Sequence, residues 1–103
     1  MQRFETAPKT VGETVSLVAN FLGDLASGET LVGASGACFV YSGVDPSPST
    51  VLTGASVVSG TKVTQRATAG QPGVTYSITI QAITSLGNVL WRQTFLSVLP
   101  NYP

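Results

Sequence analysis

The sequence predicts an all-β fold, an antiparallel sandwich of about seven short strands with an extended N-terminal arm. Three observations carry this. Apolar and polar residues alternate with period 2 along most of the chain. Turn-forming residues recur at short intervals between the alternating runs. No segment shows the 3.6-residue apolar period of an amphipathic helix.

The clearest strand runs from Val74 to Ala82. Tyr76, Ile78, Ile80 and Ala82 lie on one side and Thr75, Ser77, Thr79 and Gln81 on the other, the pattern of a strand with one wet face. Ser85, Leu86, Gly87 and Asn88 then offer a hairpin turn, and Val89 to Val98 returns as the last strand. Pro100 and Pro103, unable to donate to a ladder, close the chain. Upstream, Glu13 to Phe21 alternates with Val15, Leu17, Ala19 and Phe21 on the core side. Leu22 to Thr30 reads as a linker with room for one helical turn. Leu31 to Tyr41 is a strand whose glycines imply a bulge or a close backbone approach. Ser42 to Ser49, with Pro46 and Pro48, is the longest loop. Thr50 to Leu52, Ala55 to Ser59 and Thr61 to Thr68 are expected as short strands split by Gly54 and Gly60, and Gln71-Pro72-Gly73 is a turn.

Short strands in this number, with frequent turns, imply an immunoglobulin-like or fibronectin-type sandwich over residues 13–103. The core should hold Leu17, Phe21, Phe39, Tyr76, Ile78, Ile80 and Phe95. Tyr76, just after Gly73, has two readings: the tyrosine that pins a corner before a sandwich's penultimate strand, or a half-buried aromatic. Residues 1–12 alternate weakly and contain Pro8. They read as an arm or edge strand free to meet another chain, through Arg3, Phe4, Thr6, Pro8 and Lys9; the alternative is an ordinary first strand.

One core is all that 103 residues allow. Charged residues make up 10% of the chain against about 25% in an average soluble domain, and serine and threonine take over the polar role. Such a surface associates readily. Five basic and five acidic side chains give zero net charge with no basic run, so nucleic acid is not an expected partner. The start of the chain has no apolar signal region, and no stretch approaches the length of a membrane span. Synthesis in a cytoplasm is expected, with no membrane partner.

Catalysis is poorly provided for. Histidine is absent, which removes the commonest general base and metal ligand. Glu5, Glu13, Asp24, Glu29 and Asp45 fall in the arm, at a strand start or in loops, with no two on one strand face to couple their titrations. Asp45 stands alone in its loop, too few oxygens for calcium. Gly33 to Gly36 precedes no helix and so is no phosphate cradle. Cys38, the single cysteine, lies in an apolar run and reads as a buried structural thiol. Trp91, Tyr41 and Tyr102 could stack on a sugar, but core packing is the favoured reading for Trp91. No enzyme activity, cofactor, metal or small-molecule substrate is expected.

Whole segments carry a resemblance. Val15 to Leu22, then Leu25-Ala26-Ser27-Gly28-Glu29-Thr30-Leu31, then Gly73-Val74-Thr75-Tyr76-Ser77-Ile78-Thr79 and Thr84-Ser85-Leu86-Gly87 together resemble the small Ig-like virion proteins of tailed bacteriophages. The likeness spans most of residues 13–98; the Gly28-Glu29-Thr30 segment is its most distinctive part. It implies an accessory structural role in the virion: capsid decoration or cement, or neck or tail attachment. The implied partners are other virion proteins, met in many symmetric copies. The alternative class is a host-surface or carbohydrate-binding module of a fibre or adhesin, which would need Trp91 or a tyrosine exposed.

Overall fold

Eight strands run through residues 2–100, which the computed structural model describes: β1 Gln2–Arg3, β2 Lys9–Thr10, β3 Val15–Asn20, β4 Leu31–Ser42, β5 Leu52–Ser59, β6 Lys62–Ala67, β7 Thr75–Thr84 and β8 Val89–Leu99. They form two sheets. The larger has the order β1-β8-β7-β4, with β2 also on β8; the smaller is β3-β6-β5. The fold is a β-sandwich.

Alternation decides which side chains meet between the sheets. From the large sheet come Cys38, Tyr76, Ile78, Ile80, Ala82, Leu96 and Val98, and from the small one Leu17, Ala19, Val63 and Ala67, all buried. Phe21 and Val51, just outside strands, fill the remaining space. The hairpin forms as expected, with Ile83 opposite Val89 across it. The linker contains one 3-10 turn, Leu22–Asp24. The bulges foreseen in β4 appear as register shifts after Leu31 and after Val40.

Five expectations are corrected. Phe39 is 62% exposed, because its neighbours Cys38 and Val40 take the inward phase of β4. Phe95 is only half-buried and Trp91 is 44% exposed, because β8 sends Leu90, Arg92, Thr94, Leu96 and Val98 inward. Thr50 and Val51 are not strand residues, and β5 begins only at Leu52: Pro48–Val51 winds into a 3-10 turn, in keeping with the fixed φ of proline in a first turn. Gly54 does not split two strands either. It takes φ +72° inside β5, where the register slips between Thr53 and Val57.

Residues 2–10 are edge strands of the large sheet. β1 and β2 pair in parallel with β8, Arg3 opposite Gln93 and Lys9 opposite Val98. The ladder lapses over residues 4–8, which end in Pro8, and resumes at Lys9.

Candidate partner-binding surface

The outer face of the large sheet gathers the aromatic side chains that the core leaves out. Cross-strand register puts Phe39, Ser77 and Phe95 in one row, Ala37, Thr79, Gln93 and Arg3 in the next, and Ser35, Gln81 and Trp91 beyond. Tyr41, 67% exposed, packs its ring on Phe95 with centroids 4.6 Å apart. Arg3 lays its guanidinium over the same ring at 4.7 Å. Apart from Arg3, these rows are uncharged. Gln93 Nε2 donates to the Ser77 hydroxyl at 2.8 Å, and Ser35 donates to Gln81 Oε1 at 3.3 Å. Aromatic rings beside one arginine, with no lysine or carboxylate among them, are the composition of a protein-binding hot spot.

The N-terminal residues divide by side. Arg3 and Pro8 are exposed, and Phe4 and Thr6 half-buried, Phe4 packing against the core. Lys9 is fully buried, its Nζ donating to the Thr10 carbonyl at 3.2 Å. Burial lowers its pKa, with the Glu13 carboxylate pulling the other way. The amides of Phe4 and Val11 donate to the carbonyls of Gln93 and Leu99, both at 2.9 Å. The segment is thus fastened to its own sandwich, through contacts its weak alternation did not announce.

Four of the five carboxylates hold loops. Glu13 Oε1 accepts from the Thr10 amide at 2.6 Å. Asp24 Oδ2 pairs with Arg92 at 2.6 Å. Asp45 accepts from the Ser47 amide and the Tyr76 hydroxyl. Glu29 accepts from the Ala26 amide and the Asn88 side chain, and those bonds, with one from Thr84, hold its carboxyl below the usual range. Each has separate partners, the opposite of a coupled acid–base pair. Burial raises the Cys38 thiol to about 12, with the Asp45 charge adding to it, so this cysteine stays protonated and unreactive. Among the described residues no group of histidine, cysteine or carboxylate side chains could hold a metal, and no helix is long and apolar enough to cross a membrane.

The two halves of the Gly-Glu-Thr and Thr-x-x-Gly pattern meet in space. Besides the Glu29–Asn88 bond, the Ser85 amide donates to the Thr30 carbonyl at 2.8 Å and the Thr30 amide to the Ser85 hydroxyl at 3.1 Å. Tyr76 is fully buried, with its hydroxyl bonded to the Gln71 amide, which decides for a pinned corner over a half-buried ring. The sequence reading missed Arg92 and Gln65 as buried polar residues. Their signal was phase: Gln65 occupies the inward position between Val63 and Ala67, and Arg92 that between Leu90 and Thr94. Tyr102, the third aromatic of the sugar-stacking reading, lies outside the described residues.

Residues 9–97 match a family model described as the podophage GP4 fiber-tail adaptor protein gp77. No curated protein and no solved structure matches the chain.

Proposed function

The chain belongs to the podophage GP4 fiber-tail adaptor protein gp77 family, and from that membership we propose that it joins a fiber to the tail of a tailed phage. At the coarser level it is a virion component, an accessory structural protein of the tail that acts by binding other proteins. The family description favours the tail over capsid decoration or the neck.

The observation that carries the reading on this chain is the outer face of the large sheet, where Phe39, Tyr41 and Trp91 stand exposed beside Arg3. A lone folded domain gains nothing by leaving three rings in water, whereas a partner that covers them gains their burial. Arg3, Thr6 and Pro8 extend this surface along the β8 edge, while Phe4 and Lys9 hold the segment in place. The partners are other virion chains, engaged in several symmetric copies.

Cross-linking of intact virions followed by peptide mapping tests the proposal. Cross-links from the Trp91 face to fiber and tail chains are expected; cross-links to the major capsid protein alone would overturn it. Carbohydrate binding is the second reading, favoured by the exposure of Trp91 and Tyr41. A glycan array probed with the purified chain distinguishes it: saturable binding abolished by Trp91→Ala would select it.

A further inference from the structure

The large sheet protects its two edges unequally. On one side the chain lays its own β1 and β2 against β8. On the other, among the described residues β4 pairs with β7 alone, and its twelve residues include no charge and no proline. Charge and proline are two of the devices that keep an edge from recruiting a strand; a third, the bulge, occurs in β4 only towards its ends, after Leu31 and after Val40. Across the flank of the sandwich lies β5, which among the described residues pairs only with β6. The slip between Thr53 and Val57 takes residues 54–56 out of that ladder.

Between the two edges runs a groove of about 370 Å³, walled by residues 35–38 of β4 and 54–56 of β5, with Gln65 among its lining residues. Gln65 is itself buried, and its amide donates to the carbonyls of Thr53, Gly54 and Arg66 at 3.1–3.2 Å. Its Oε1 accepts from Ser56 at 2.6 Å. One side chain therefore props the bulge of β5 in place. Gly36 marks the result. It sits on the inward phase, opposite Ile80, yet it is exposed. A Cβ there would come within 3.2 Å of Gln65 Oε1 and Leu52 Cδ1, so any side chain at this position would enter the groove.

We propose that this groove takes an extended, uncharged segment of a partner chain, which adds to the β4 edge as a further strand. The inference rests on the adaptor reading and names the form of one of its partners. Backbone groups of β4 would supply affinity and the groove would sort alternate side chains. The occupant is a single segment because both sheets wall the groove, leaving no room for a folded domain with flanking strands. It is uncharged because no lining residue is charged, and a charge placed there would lose its water without gaining a partner. Small side chains such as serine, threonine, alanine and valine suit walls built from serine, glycine and alanine.

Nuclear magnetic resonance titration of the labelled full chain tests it. The probes are an alternating Thr/Val decapeptide, its lysine-containing counterpart, and overlapping decapeptides from the fiber and tail proteins of the same virion. An uncharged peptide should shift the amides of residues 35–38 and 54–56 and slow hydrogen exchange along β4. Ala55→Trp, which fills the groove from an exposed position, should weaken binding about tenfold or more with an unchanged melting temperature. Gly36→Val serves as the second blocking variant. Shifts elsewhere, equal binding of the lysine peptide or of both variants, or no binding by any probe, would overturn the proposal. Virions made with Ala55→Trp separate this from the adaptor reading. Tails that incorporate the variant normally sink the groove alone, whereas a wild-type chain missing from purified tails sinks the adaptor assignment.

Discussion

The Tyr76 hydroxyl donates a 2.6 Å hydrogen bond to Asp45 Oδ2 and accepts one of 2.7 Å from the Gln71 amide. One buried oxygen thereby ties the loop after β4 and the turn before β7 to the core. Tyr76→Phe keeps the ring and removes the bonds, leaving Asp45 and the Gln71 amide short of a partner. A loss of about 1–3 kcal/mol is expected in denaturant unfolding. A loss within error would show that water replaces the hydroxyl without penalty.

Alkaline pH offers an independent check. Burial first, and the Asp45 hydrogen bond second, push the Tyr76 hydroxyl to about 12, and burial does the same to the Cys38 thiol. The unfolded chain releases these protons near 10 and 9. The folded chain therefore holds more protons between pH 9 and 12, and stability falls as pH rises through that window. Urea titrations from pH 8 to 12 should show the decline, and it should flatten in the Tyr76→Phe, Cys38→Ala double variant.

Glu29 acts in the opposite direction. The Ala26, Thr84 and Asn88 bonds depress its pKa below 4.5, so its stabilising effect is present above that pH and fades as the folded-state carboxyl becomes protonated. Glu29→Gln should lower the melting temperature at pH 7, and by less as the pH falls. Equal effects at every pH would mean that the charge is irrelevant to the Asn88 contact.

Arg92 and Asp24 form an ion pair with unequal exposure, 7% and 25% at the side chains, and Arg92 also lies over the Phe21 ring. Asp24→Ala strands a buried guanidinium and should cost about 3 kcal/mol. Arg92→Met should cost less, because the freed carboxylate can reach water and the apolar stem is retained. Chemical denaturation of the two single variants measures the asymmetry; the reverse order would refute it.

Trp91 and Phe39 should separate stability from assembly. Trp91→Ala and Phe39→Ser remove exposed rings, so each should change stability by no more than about 0.5–1 kcal/mol. Incorporation into tails should nonetheless drop, as measured by protein content of purified virions. Normal incorporation of both would remove the sheet face from consideration as the contact.

Removal of residues 1–10 tests the edge strands. Phe4 and Lys9 pack within the sandwich and the backbone pairs with β8. The truncated chain should therefore unfold at lower temperature, contrary to what an arm without internal contacts would give. An unchanged melting curve would restore the free-arm reading.

The sequence by itself determined the fold class and much of the core. Period 2 placed Tyr76, Ile78, Ile80 and Ala82 on one buried face, and Gly87 and the Gln71-Pro72-Gly73 turn marked real reversals, because alternation and turn chemistry are local properties of the chain. A resemblance to tailed-phage virion proteins was also legible, and the Gly28-Glu29-Thr30 and Thr84 to Gly87 segments that carried it prove to be bonded partners. Tertiary structure alone decided the faces of β4 and β8. Phe39 and Cys38, or Phe95 and Leu96, are apolar on both phases, so only the position of the second sheet chooses which one is buried. It also decided the fate of residues 2–10, since their anchoring depends on β8, some ninety residues downstream. The groove between β4 and β5 belongs to the same class: two edges far apart in sequence face each other only after both sheets have closed on the core.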